Sequence, residues 1–210
     1  MQATGVLLKN ENKLLPLAKN LPRIHLAGKS ANSLANQCGG WTVDFSDFSR
    51  TPDSIAFGMT FYQALQQTVG ASTTISYSPD GTGATGASVG IVVIGETPYT
   101  ETDGDRPYPV IAEEDLMPIR NIVAAKVPVV VVLMTGRPLV LGEALAKSNA
   151  FLVAWLPGTE MQGIVDLLFG DAKPSAKLSH SFPRNVEQIP INVGEGTAQP
   201  LFKVGEGFSY

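Results

Sequence analysis

The amino-acid sequence predicts one α/β domain in which a doubly wound, mostly parallel sheet is sandwiched between helices. Short apolar runs alternate along the chain with amphipathic stretches, as in consecutive β-α units. The 210 residues contain 44% hydrophobic residues, enough for one sizeable core. Residues 1–210 contain no internal repeat and no long linker, so the sequence predicts no second domain within them.

The first predicted units lie in the N-terminal half. Residues 24–27 form a short apolar run typical of a strand, and residues 73–77 are rich in β-branched and aromatic side chains. Between them, residues 55–69 carry apolar side chains at helical spacing. Residues 89–94 (VGIVVI) predict a buried strand.

The C-terminal half continues the alternation. Residues 113–125 predict a helix with acidic residues in its first turn, and residues 129–134 (VVVVLM) a buried strand. Pro138 suits the first turn of a helix over residues 139–147. A strand over 151–155, a helix over 160–169 ended by Gly170, and an edge strand over 177–182 complete the prediction.

Four predicted loops follow the carboxyl ends of strands, where such sheets collect their chemistry. They are residues 28–47, 95–105, 135–137 and 156–160. The first is unusually long for a compact domain, which favours a functional role.

Composition excludes several classes of protein. Only 16% of residues are charged, the net charge is −4, and no Lys/Arg-rich run is present, so a nucleic-acid partner is disfavoured. The longest apolar run, residues 127–134, is too short to span a bilayer. No secretory signal opens the sequence, and its start resembles a position inside a longer protein.

The sequence gives little support for a dinucleotide site, a histidine-assisted nucleophile or a metal site. Residues 81–86 match the GxGxxG pattern, but a strand is predicted next instead of the helix that would hold a pyrophosphate. His25 and His180 fall on predicted strands without a Ser or Cys nucleophile motif. The absence of HExxH and CxxC patterns gives no support for a metal ion.

The loop at 95–105 carries four carboxylates, Glu96, Glu101, Asp103 and Asp105. A solvated acidic loop or a calcium site would also explain them. Glu96 is distinctive because it stands one residue beyond a buried strand, where its carboxyl group can be partly desolvated. One such carboxyl group is half of the pair that a glycosidase requires.

Trp41 follows two glycines in the long loop after the first strand. An indole presented on such a loop can stack on the apolar face of a pyranose ring. Trp41 could equally be an ordinary core residue, because Val43 and Phe45 continue an alternating apolar pattern after it.

These residues stand within six segments: 6–17, 37–42 (QCGGWT), 95–105 (GETPYTETDGD), 135–138 (TGRP), 155–163 (WLPGTEMQG) and 200–210 (PLFKVGEGFSY). In this order the segments resemble the C-terminal α/β sandwich domain of glycoside hydrolase family 3, in particular its exo-acting β-glucan glucohydrolase branch. The resemblance covers nearly the whole chain. It implies a flavodoxin-like sandwich over residues 1–210, and an upstream (β/α)8 barrel domain that this chain lacks.

The resemblance also implies an activity and roles for individual residues. A retaining β-glucosidase or exo-β-glucanase would take its Asp nucleophile from the barrel and its acid/base, Glu96, from this domain. Trp41 would form half of an aromatic clamp around the sugar, and Glu101, Asp103 and Asp105 would shape the loop. The implied partners are a β-glucoside or β-glucan oligosaccharide and the barrel domain, without a cofactor, in a periplasmic or secreted protein.

Two other classes of function remain open on the residues alone. One is a free-standing carbohydrate-binding module that uses Trp41. The other is a flavodoxin-like domain that binds a nucleotide or a protein partner.

Overall fold

The computed structural model describes residues 2–42, 55, 57–192 and 199–210, and its centre is a six-stranded sheet. The strands are β1 Val6–Asn10, β2 Arg23–Ala27, β3 Thr74–Tyr77, β4 Val89–Gly95, β5 Val129–Met134 and β6 Ala150–Trp155. Their spatial order is β1-β6-β5-β4-β2-β3. All neighbours pair in parallel except β1, which runs antiparallel to β6. The predicted fold class is therefore confirmed.

Helices cover both faces of the sheet. They are α1 Leu34–Cys38, α2 Phe61–Thr68, α3 Glu113–Ala124, α4 Gly142–Lys147 and α5 Gln162–Phe169. One core contains residues of α2 and α5, and the other contains residues of α3 and α4. Successive β5 residues alternate between these two cores. A strand buried on both faces has no polar side, which explains its continuous apolar run.

Two predicted helices begin three or more residues later in the structure than in the prediction. The helix predicted over 55–69 begins at Phe61, where Thr60 and Gln63 form a capping box; residue 56 of that range lies outside the described residues. The helix predicted from residue 139 begins at Gly142. Val140 forms a parallel bridge with Val110, which keeps the backbone extended there.

The prediction of an edge strand over 177–182 is wrong. Leu178 and Phe182 instead exchange backbone hydrogen bonds with residues 201–206 of the C-terminal tail, where Phe182 makes an isolated bridge to Phe202. The sheet edge beside β6 is occupied by β1, which the periodicity did not predict.

Other sequence expectations agree with the structure. Gly170 adopts a left-handed conformation and ends α5. Residues 81–86 lead directly into β4 without a helix. Within the described ranges, no helix has the length and apolarity needed to cross a bilayer.

Candidate active site

Glu96 lies where the carboxyl ends of β4 and β5 meet at one edge of the sheet. Gly95, the last residue of β4, pairs with Met134, the last residue of β5. The Glu96 amide extends this pairing by donating to the Met134 carbonyl oxygen at 3.2 Å. Because both strands end here, the side chains of Glu96, Thr135 and Arg137 project into the same space beyond the sheet.

The Glu96 carboxyl group is nearly enclosed, with a side-chain exposure of 6%. Its Oε1 accepts from Nε of Arg137 at 3.0 Å, and its Oε2 lies 2.9 Å from the Thr135 hydroxyl oxygen. Nη2 of Arg137 is also 2.9 Å from Oε1 but makes no hydrogen bond to the described residues, so that approach is a charge contact only. A second cation, Nη1 of Arg106, lies 3.8 Å from Oε1.

Thr135 suits either protonation state of this carboxyl group. Its hydroxyl oxygen lies 2.7 Å from the Arg137 carbonyl oxygen as well as 2.9 Å from Glu96 Oε2. The single hydroxyl proton can therefore be donated to an ionised Glu96 or to the Arg137 carbonyl. In the second arrangement, Thr135 can accept a hydrogen bond from a protonated Glu96.

Arg137 ties Glu96 to the loop that follows it. Its Nη1 donates to the Gly104 carbonyl oxygen at 2.6 Å, and its guanidinium carbon lies 4.1 Å from the centroid of the Tyr99 ring. Burial, followed by the negative charge of Glu96, raises the pKa of Tyr99 to about 12. A tyrosine is protonated at neutral pH with or without this shift, so Tyr99 faces Glu96 as a neutral hydroxyl donor.

The loop that carries Trp41 packs directly on the Glu96 loop. Gly39 ends α1 with a φ of 71°, and a Cβ atom on Gly40 would lie only 2.1 Å from the Tyr99 carbonyl oxygen. This close approach places Trp41 beside the loop of Glu96, with 61% of the residue exposed. The alternative that Trp41 is a core residue is wrong; Val43 and Phe45, which suggested it, lie outside the described residues.

Gln37 anchors the Trp41 loop from beneath. This fully buried side chain donates to the carbonyl oxygens of Met59 and Gly158 and accepts from the Phe61 amide, each at 3.0 Å. Three separate segments are thereby joined under the residues that lead to Trp41.

Two of the other acidic residues of the loop, Glu101 and Asp105, are directed to solvent rather than into the cluster around Glu96. Residues Glu101–Gly104 form a 3-10 turn, and the side chains of Glu101 and Asp105 are exposed. Nothing is described for the Asp103 side chain. Among the described side chains, no group of three or more His, Cys, Asp or Glu is placed to hold a metal ion.

Sequence reasoning placed residues 135–137 at this edge of the sheet but assigned them no role. It also overlooked Tyr99 and Arg106. The loops that follow the carboxyl ends of parallel strands are expected to meet, and this expectation identified the loops. It does not indicate which polar side chains within those loops form pairs. The one signal in the sequence for a partner of Glu96 was the positive charge of Arg137 in the loop after β5.

Comparison with known proteins places this chain in a family. Residues 5–210 match the profile of the glycosyl hydrolase family 3 C-terminal domain. A lysosomal β-glucosidase of Dictyostelium discoideum is 30% identical over 97% of this chain and 28% of its own length.

Solved structures agree. An exo-1,3/1,4-β-glucanase from a Pseudoalteromonas species superposes with a TM-score of 0.91 at 34% identity, covering 98% of this chain and 27% of that one. A β-glucosidase from Listeria innocua in complex with glucose gives a TM-score of 0.78 at 27% identity, covering 98% and 32% of the two chains. The chain thus spans about a third or less of each of these three relatives.

Proposed function

Because this chain belongs to glycosyl hydrolase family 3, as its C-terminal domain, we propose that it carries the acid/base of a retaining β-glucosidase or exo-β-glucanase. The proposed substrates are β-glucosides and β-glucan oligosaccharides, cleaved at a terminal β-D-glucosyl residue. The names of the matched β-glucosidases and exo-glucanase support this substrate class.

The environment of Glu96 is the observation that carries the proposal. A general acid/base must alternate between a carboxylic acid and a carboxylate during each cycle. Arg137 and Arg106 stabilise the carboxylate, and Thr135 can hydrogen-bond with either form. The Glu96 side chain is almost inaccessible to solvent. A substrate oxygen that contacts its carboxyl group would therefore compete with little water for that contact.

The nucleophile is proposed to come from the part of the enzyme outside this chain. A retaining glycosidase needs a second carboxylate roughly 5 Å from the first. The hydrogen-bonding and charged partners of Glu96 described above are hydroxyl groups and cations. The chain covers 28% of the Dictyostelium enzyme's length, which leaves room for a (β/α)8 barrel domain that supplies an Asp.

The reaction would then proceed by double displacement. The barrel Asp attacks the anomeric carbon while Glu96 gives its proton to the glycosidic oxygen, so the carbon–oxygen bond breaks and a glucosyl ester forms. Glu96, now a carboxylate, takes a proton from water as that water attacks the anomeric carbon. Glucose leaves with its original configuration, the Asp is released, and Glu96 is protonated again.

Trp41 is proposed to stack on the sugar that leaves. Its exposure and its place beside the Glu96 loop support this role, since a sugar face needs an accessible flat ring. Glu101, Asp103 and Asp105 are proposed to shape the loop rather than to react.

The test compares Glu96→Ala with Glu101→Ala in the complete enzyme. Both variants remove a carboxylate from the same loop, so Glu101→Ala is the matched control. We expect Glu96→Ala to slow substrates with poor leaving groups by roughly 100- to 10,000-fold. Substrates with good leaving groups need no proton, so their glycosylation step should slow much less.

Added azide should restore turnover of Glu96→Ala, because azide attacks the ester without a base. The product should be β-glucosyl azide, since a second inversion returns the original configuration. Leaving-group dependence and azide rescue in Glu101→Ala but not in Glu96→Ala would mean that the wrong carboxylate has been assigned. A faster reaction with nitrophenyl β-xyloside than with the β-glucoside would contradict the proposed substrate.

A further inference from the structure

Leu156 is an exposed apolar side chain at the carboxyl end of the sheet. It is the first residue after β6, and 41% of it is accessible to solvent. Just before it, the Trp155 carbonyl oxygen accepts from the Thr135 amide at 3.1 Å. Just after it, the Gly158 amide donates to the Gln37 carbonyl oxygen at 2.9 Å. Leu156 is therefore held between the loop after β5 and helix α1.

An irregularity at the end of β6 determines where Leu156 points. The register between β5 and β6 shifts at the last pair, in which Met134 joins Trp155 and Ala154 is an extra residue on β6. Trp155 has a φ of 57°, a left-handed conformation that is strained for a bulky side chain. Because β6 residues alternate between the two cores, a continued strand would turn residue 156 toward the core of α2 and α5. The bulge directs Leu156 to the surface instead, as bulges beside active sites often do.

Two glycines leave room for the Leu156 side chain. A Cβ atom on Gly39 would lie 2.7 Å from Leu156 Cδ1, and a Cβ atom on Gly136 would lie 3.5 Å from the same carbon. Gly39 stands two residues before Trp41. Gly136 stands directly before Arg137. The side chain thus packs on one side against the Trp41 loop and the loop after β5, and it is open to solvent on the other.

Tyr99 lies against the same glycine as Leu156. A Cβ atom on Gly136 would be 2.9 Å from the Tyr99 hydroxyl oxygen as well as 3.5 Å from Leu156. The next residue, Arg137, donates to Glu96 and has its guanidinium over the Tyr99 ring. Leu156 therefore borders the cluster around Glu96 and adds an apolar surface to it.

An apolar surface beside the acid/base suits the group that leaves. The proton of a general acid goes to the oxygen of the leaving group, so that group lies on the acid's side of the scissile bond. A glucosyl unit has an apolar C–H face, and an aryl aglycone is apolar on both faces. Contact with a leucine removes water from either surface, which favours binding.

We propose that Leu156 is a specificity-determining residue that contacts the leaving group and favours one with an apolar face over a small alcohol. The inference rests on the proposed function of Glu96. The bulge at Ala154 and the strained turn at Trp155 present the side chain, and the two loops beneath hold it in place.

The test measures kcat/KM of Leu156→Ala in the complete enzyme with methyl β-glucoside and with cellobiose or laminaribiose, whichever the parent cleaves faster. Both kinds of substrate release an alcohol that needs a proton, but methanol offers Leu156 almost no surface. We expect the value for the disaccharide to fall about five- to tenfold, because the truncation removes three carbons from the contact. The value for methyl β-glucoside should fall by less than about twofold. Leu156→Met, which keeps an apolar side chain of similar size, should retain most of the disaccharide activity.

Val123→Ala is the matched control. It truncates an apolar side chain of similar exposure, 36%, near the end of α3 that leads into β5, at the opposite end of the sheet from Glu96. This variant should change neither value.

The outcomes separate this inference from the proposed function. An equal loss with both substrates would mean that Leu156 only shapes the site, and it would refute the contact. No loss with either substrate would refute it too, and a lowered melting temperature would then indicate that the rest of the enzyme covers Leu156. The proposed function fails only if Glu96→Gln keeps full activity toward methyl β-glucoside, and this inference then fails with it.

Discussion

Arg137 joins three parts of the candidate site, and its replacement by alanine should destabilise this chain by about 3 kcal/mol. The change leaves the Glu96 carboxylate, which is 6% exposed, without its closest cation. Removing one partner of a buried ion pair costs roughly 3 to 5 kcal/mol. Because the Arg137 side chain is itself 23% exposed, water can enter the vacated space, and we expect the lower end of that range.

Urea unfolding of the chain, followed by circular dichroism, measures the change in the free energy of unfolding. Arg184→Ala is the matched control, because within the described residues the hydrogen bond given for this exposed arginine side chain is a long one, at 3.3 Å, to the Pro200 carbonyl oxygen. Its cost should stay within about 0.5 kcal/mol.

A double-mutant cycle attributes the loss to the ion pair. In Glu96→Gln combined with Arg137→Ala, no buried charge is left unpaired. The double variant should therefore be at least about 1.5 kcal/mol more stable than the sum of the single changes predicts. Additive single changes, or an Arg137→Ala cost equal to that of Arg184→Ala, would refute the reasoning.

Three further predictions follow from the geometry. The chain alone should unfold cooperatively on heating yet should not hydrolyse nitrophenyl β-glucoside, since one carboxylate cannot perform a double displacement; turnover clearly above background would contradict the two-domain assignment. In a Trp155→Phe variant, acrylamide should quench the fluorescence of Trp41 strongly, because that residue is 61% exposed; an unquenched signal would remove its proposed sugar contact. Asp115→Asn should stabilise the chain by roughly 1 to 3 kcal/mol above pH 6, because burial raises the pKa of Asp115 to about 6 and so makes its ionised form unfavourable. This gain should diminish as the pH falls from 6 to 4, where folded Asp115 binds the proton, and a gain independent of pH in denaturant titrations would rule out that cause.

The predicted fold was correct where burial alone determines the structure. The run over 129–134 became the fully buried β5, because a strand covered on both faces requires apolar residues at every position. The prediction failed at the edges. Strand β1 carries a mixed pattern, and residues 177–182 alternate as a strand does but pair with the tail instead. Which segment pairs at the edge of the sheet is decided by the tertiary fold, and the periodicity of a segment's own sequence carries no information on that pairing.

For the candidate site, the sequence alone determined that Glu96 stands at the carboxyl end of a buried strand and that a glycine-rich loop presents Trp41. Both follow from short-range patterns of apolar residues and glycines. Only the tertiary structure decided what surrounds Glu96. Thr135 and Arg137 lie 39 and 41 residues further along the chain and reach Glu96 because β4 and β5 pair in register. Asp115, on α3, lines one pocket together with Glu96 because α3 packs back across the sheet. Charges interact according to distance in space, and only the fold determines that distance.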